Sequence, residues 1–326
     1  MNPVVTPTSD LNSKFSRLFR DGKLLQLHIS KWSMSVQLTA ADLPLKVGEL
    51  VPEYAKLGRK VLIDEKEMQK FTTIEGSARN YLRAHSHIFP IAQAHFVPNK
   101  SLVPVLEKLE EFRQQYAGRV DTFIANYETL KQARLDKFPN EREQLLPCYP
   151  RPETIRGSFG FAVGMFEVSF PKKMTQVGLA SVQAEAGARE RLQTKFEEEY
   201  QRQYAHSMTQ VDEFLKEAVT STRGRIVEVF ETIARKIQNR EIVSATNLKT
   251  MRGIIESFDG LDFLDDQQVR ARLDEVKAVI AVDHDFKSDQ QALDALGNAV
   301  GAVLTVARDT TDLASLTGDY IRRIEV

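Results

Sequence analysis

The spacing of apolar residues changes several times along the chain, and each change marks an element. Between residues 10 and 21, Leu11, Phe15, Leu18 and Phe19 share one face of a short amphipathic helix that Gly22 stops. The period then drops to two. Leu25, Leu27 and Ile29 alternate with Gln26, His28 and Ser30, and Val36 and Leu38 resume the alternation after a polar turn at Ser33 to Ser35, which predicts a half-buried hairpin. Asp64 with Glu67 three residues on is a capping-box arrangement, and the helix it opens is expected to run to about Ala84.

From Ser101 to about Phe138, Leu109, Phe112, Tyr116, Val120, Phe123, Tyr127 and Leu130 recur at spacings of three and four, a heptad seam with one stutter. Pro104 sits where a first helical turn tolerates proline. A helix of this length spans about 55 Å and needs a partner along its seam. A second stripe over residues 175–238, through Leu192, Phe196, Tyr200, Tyr204, Met208, Val211, Leu215, Ile226, Val229 and Ile233, supplies one, with a bend or break expected at Gly187 or Gly224. The simplest arrangement is an antiparallel helical hairpin.

The segment between the two long helices, residues 139–174, is proline-rich and then apolar. Phe159, Phe161 and Val163 alternate, as do Phe166, Val168 and Phe170. This predicts one bulged strand, or two short ones bent at Gly164. It either joins the N-terminal hairpin in a small sheet or stands out as an apolar tongue for a membrane or partner. Three shorter helices are expected at about 240–257, 262–281 and 289–308, the last capped by Ser288 with Gln291. Gly297 and Gly301 in that helix suit close helix packing. The fold class read from these periods is mainly α: a small antiparallel α+β head (1–98 plus 140–174), a long coiled-coil-like helical hairpin (99–139 plus 175–239) and a C-terminal helical bundle (240–326).

Composition narrows the setting. With 326 residues, 42% of them hydrophobic, the chain can bury a sizeable core. Its formal charge of −1 argues against a surface tuned throughout to polyanions. That average conceals a gradient: residues 1–100 carry 14 basic and 9 acidic side chains, residues 259–326 carry 7 and 14. Acidic C-terminal helices meeting a basic N-terminal region, within a chain or between copies, would follow from such a gradient. One cysteine, Cys148, leaves no internal disulfide and fits a reducing cytoplasm. No signal-peptide pattern opens the sequence, and no stretch has the apolar length of a spanning helix.

Candidate chemistry is sparse. No P-loop and no strand-linked G-x-G-x-x-G is present, so any ATP used belongs to a partner. Gly157, Gly160 and Gly164 lie in an apolar strand, where glycine more often marks a bulge than a phosphate contact. His85, His87 and His95 cluster without a known ligand spacing and read as a helix-to-loop junction, and His284 between two aspartates reads as a solvated loop. Cys148 has no histidine partner in sequence and no G-x-S-x-G elbow exists, so no catalytic residue, metal or cofactor is expected. Trp32 and Phe161 could stack on a base with Lys172 and Lys173 beside them for phosphates, although core packing is the simpler use of both rings. The candidate interaction residues are therefore Trp32, Phe159, Phe161, Phe166, Lys172 and Lys173.

The segments LLQLHISKWSMSVQLTAADL, LGRKVLIDEKEMQKF, HFVPNKSLVPVLEKLEEFRQQY and GSFGFAVGMFEVSF together resemble bacterial and phage proteins of domain-of-unknown-function family 3150, over about residues 20–240. That resemblance implies an α/β head with long helices. It also implies a setting beside MoxR-type AAA+ ATPases and von Willebrand factor A domain proteins in phages and mobile elements, and no family site to carry over. The function expected is a non-enzymatic assembly or adaptor protein, a homo-oligomer acting with such an ATPase. The alternatives are nucleic-acid binding through the basic N-terminal region, or an α-helical pore former.

Overall fold

A computed structural model describes residues 7–38, 58–169, 186–282, 286 and 289–325. In chain order the elements are α1 (Pro7–Asp21), β1 (Gly22–Ser30), β2 (Ser35–Gln37), β3 (Arg59–Val61), α2 (Glu65–Ala84), β4 (His87–Phe89), β5 (Ala94–Pro98) and α3 (Asn99–Lys137). They continue with α4 (Arg142–Leu145), α5 (Pro152–Arg156), β6 (Gly160–Phe166), α6 (Ala186–Gln238), α7 (Ala245–Leu261), α8 (Gln267–Ala281), α9 (Gln290–Arg308) and α10 (Leu313–Glu325). The fold is α+β and mainly helical: one four-stranded sheet in the order β4-β5-β1-β6, a two-stranded β2-β3 pair, and a C-terminal run of helices.

The chain divides into two compact units. Unit 1 comprises Met1–Leu25, Arg83–Val103 and Met165–Val326; unit 2 comprises Gln26–Leu82 and Pro104–Gly164. This division differs from the head, hairpin and bundle expected from the periodicity, because the two long helices fall mostly in different units.

In unit 2 the seam of α3 is covered without a second long helix. Tyr116, Val120, Phe123 and Tyr127 pack with Met34, Leu62, Ile63 and Phe71, and Trp32, Phe159 and Phe161 pack against that core. The Phe71 and Phe159 rings stack with centroids 4.8 Å apart, and Trp32 meets Tyr127 at 6.1 Å. Each buried tyrosine spends its hydroxyl on a backbone carbonyl: Tyr116 donates to Ser30 (2.6 Å) and Tyr127 to Pro150 (3.0 Å). Heptad spacing records a buried stripe, and here Phe71 of α2 fills it together with side chains from the strands and loops.

In unit 1, α6 runs unbroken for 53 residues through both Gly187 and Gly224, so the expected break does not occur. Its central residues Val211, Phe214, Leu215 and Val219 join Phe15, Leu18 and Phe19 of α1, Phe89 and Phe96 of the sheet, and Tyr320 of α10 in one core. Its C-terminal residues Ile226, Phe230 and Ile233 join a second core with α7, α8 and α9. Gly297 of α9 lets that helix approach closely, since a Cβ there would stand 3.4 Å from Ile237. The α9 cap is Asp289, whose carboxylate accepts from the Ala292 amide at 2.9 Å, and not the expected Ser288.

The expected β1-β2 hairpin does not form. β1 pairs antiparallel with β5 (Gly22↔Pro98, Leu25↔His95), β5 with β4 (His87↔Phe96), and β2 with β3 (Ser35↔Val61). Alternation identifies a half-buried strand but not its neighbour, and closing a longer loop adds little entropy cost. Gly22 marks the closeness of the β1-β5 pair: a Cβ there would lie 2.6 Å from the Val97 carbonyl oxygen. β6 does enter the sheet, beside β1, as the sheet reading of that segment expected.

Candidate interaction surfaces

The strongest local chemistry in unit 1 grows from two arginines on α6. Arg223 occupies an apolar register position, four residues after Val219 and three before Ile226, and only 3% of its side chain is exposed. Its Nε donates to Asp266 Oδ2 at 2.7 Å, Nη1 to the Asp309 carbonyl at 2.5 Å and to Asp312 Oδ1 at 2.8 Å, and Nη2 to Asp312 Oδ2 at 2.7 Å. Burial works against the charged guanidinium, but the bonds to Asp312 and Asp266 outweigh it and hold Arg223 above the ordinary arginine range. Asp266 also caps α8 by accepting from the Val269 amide at 3.2 Å. One guanidinium thus joins α6, the start of α8 and the segment leading into α10.

Arg225, two residues on, faces elsewhere. It donates to the carbonyls of Ala84 (2.6 Å), Arg83 (3.0 Å) and Ser86 (3.4 Å), and its burial draws its pKa down. Nearby, His87 is buried with Nε2 donating to the Leu261 carbonyl at 3.1 Å, while Nδ1 has no partner among the described residues. Burial lowers its pKa to about 4, although the Leu261 bond opposes the shift. A cavity of about 80 Å³ beside it is lined by Ser86, Phe214, Glu217, Ser221 and Arg225.

Each unit carries an open groove. That of unit 1, about 430 Å³, runs between α6 and α7, with an apolar floor that includes Val229, Ile233 and Ile254, and Arg225 lining it. That of unit 2, about 500 Å³, lies between the β2-β3 pair and α2, lined by Met34, Val61, Ile63, Met68 and Arg59. Arg59 is held by the Ser35 hydroxyl at 2.7 Å and the Ser33 hydroxyl at 3.2 Å.

The residues singled out from the sequence do not converge on one place. Trp32, Phe159 and Phe161 line the core of unit 2, Phe166 packs on a core of unit 1, and Lys172 and Lys173 lie outside the described residues. Phe159 and Phe161 turn inward onto Phe71, Phe123 and Tyr116, so this part of the segment is a core strand and not a tongue. The histidine cluster disperses: His95 Nδ1 shares a hydrogen bond with Ser86 Oγ (2.8 Å), and His87 turns into the core. His284 falls outside the described residues. Cys148 donates to the Gln144 carbonyl at 3.3 Å. Among the described residues no group of three or more His, Cys, Asp or Glu is placed to hold a metal ion, and no helix is long and apolar enough to cross a membrane. Sequence reasoning missed Arg223 and Arg225. The available signal for Arg223 was a cation at an apolar register position of a long stripe, which a buried counter-charge satisfies; Arg225, held by backbone carbonyls, carried no such signal.

Comparison with known proteins gives one match: residues 22–285 fit the family described as "Protein of unknown function (DUF3150)". No curated protein and no solved structure matches the chain.

Proposed function

This chain belongs to that family, and on that premise we propose that it is a non-enzymatic assembly or adaptor protein of the cytoplasm that works with a MoxR-type AAA+ ATPase in a phage or mobile-element system. The observation that carries the reading is how unit 1 uses its buried charge. Arg223, Asp266 and Asp312 are joined to one another, tying together helices distant in sequence, while the neighbouring α6-α7 groove offers solvent an apolar floor. Such a body holds a partner's shape and draws its energy from elsewhere, which suits a chain without a P-loop. The family's setting supplies the ATPase, and a von Willebrand factor A domain protein as the further partner.

Co-expression with a MoxR-type AAA+ ATPase and a von Willebrand factor A domain protein, followed by purification in the presence of ATP, ADP or no nucleotide, tests this directly. Retention of the ATPase in at least one nucleotide state is the expected result. Its absence from every state overturns the reading.

A further inference from the structure

β6 ends the four-stranded sheet, and its sequence lacks the usual defences of an edge. The opposite edge, β4, is three residues long, whereas β6 extends for seven, Gly-Phe-Ala-Val-Gly-Met-Phe, without a charge or a proline. Soluble proteins normally blunt long edges with lysine, proline, a bulge or extreme shortness, because an open row of amide and carbonyl groups templates further pairing. Within unit 2, a Cβ on Gly160 would meet Ser30 Oγ at 2.8 Å and one on Gly164 would lie 3.8 Å from the Gln26 carbonyl oxygen, so β6 runs antiparallel to β1. Among the described residues β1 is its one strand neighbour.

We propose that the edge of β6 on which no strand pairs among the described residues, through Gly160–Gly164, pairs antiparallel with the same edge of a second copy of this chain. Two properties of the strand select a copy over a foreign strand. An uncharged edge brings no like charges together when it meets itself, whereas it offers nothing by which a charged strand would be chosen. A two-fold axis at Ala162 also sets Phe161 opposite Val163 twice, an aromatic and β-branched pairing that stabilises antiparallel strands. On the other face it sets Ala162 against Ala162 and Gly160 against Gly164, small residues that let the backbones close. Ala162 and Gly164 are exposed, and Phe161 and Val163 are half-buried, so the pairing extends a surface already partly covered. This inference concerns self-association only and stands apart from the ATPase reading.

Sedimentation of the full chain across the micromolar range tests it, with three variants chosen for the axis position. The wild type should sediment as a concentration-dependent dimer. Ala162→Lys and Ala162→Glu each place like charges face to face and should raise the dimer dissociation constant about ten-fold or more. An equimolar mixture of the two should recover the dimer, because opposite charges then meet. Unchanged far-ultraviolet circular dichroism and melting temperature show that each variant is folded, as expected for an exposed alanine. A wild type that stays monomeric throughout overturns the proposal. So does a dimer indifferent to both charges, or a mixture that fails to recover it.

Discussion

At His87 a neutral ring is held by one hydrogen bond to the Leu261 carbonyl, among Phe214 and Phe263, where a charge is costly. The consequence is a pH dependence with a definite sign. An unfolded histidine titrates near 6.5 and the folded one near 4, so between these values the unfolded state binds the extra proton. The stabilisation is fully present above about pH 6.5 and is lost as the pH falls through 4, a loss of about 3 kcal/mol for complete burial. Urea denaturation at pH 7, 5.5 and 4 should show this fall, and His87→Phe should remove that part of the slope while lowering stability at neutral pH. Equal slopes in wild type and variant would contradict the burial argument. The sequence placed His87 at a helix-to-loop junction. Its burial depends on pairing with Phe96, a residue of a strand that no local signal announced.

Among the elements, α6 shows how far a stripe of apolar residues can outweigh a local preference. Gly224 costs helix stability, yet the helix continues because Val219, Ile226 and Phe230 on either side are buried in unit 1. Nothing lies within 4 Å of a Cβ at this position. Gly224→Ala should therefore raise stability by about 1 kcal/mol, read as a higher urea midpoint with an unchanged denaturant slope. A lower midpoint would mean that the glycine serves a purpose other than packing. Long periodic helices were legible in the sequence: α2, α3, α7, α8 and α9 lie within a few residues of their expected bounds, as does the described part of α6. The three-residue strands β3 and β4 were not, since runs so brief carry too little periodicity to stand out, and the 13-residue amphipathic helix α10 also went unread.

Over the whole molecule, the charge gradient along the chain does not survive folding. Unit 1 contains 27 basic and 29 acidic residues and unit 2 contains 17 and 16, because segments far apart in sequence are gathered into each. The acidic C-terminal segment is met within unit 1 by Arg223 and Arg270, and Tyr320 of α10 donates to Asp21 at the end of α1 at 2.6 Å. α10 thereby covers Phe263, whose ring meets Tyr320 at 5.5 Å, and shares a core with Phe15, Leu18 and Phe19. A chain ending at Arg308 should bind more of a hydrophobic dye and melt lower than the full chain, since it loses Leu313, Leu316 and Tyr320 from that core and leaves Arg223 without Asp312. Equal dye binding would place the stabilising contacts elsewhere. The sequence by itself determined the helical class, the position of the long helices and the presence of a short apolar strand between them, because periodicity and capping act over a few residues. Only the tertiary structure decided which strand pairs with which, which side chains fill each helix seam, and that Arg223 finds its carboxylates. Those outcomes depend on contacts between distant segments, whose partners no local pattern specifies.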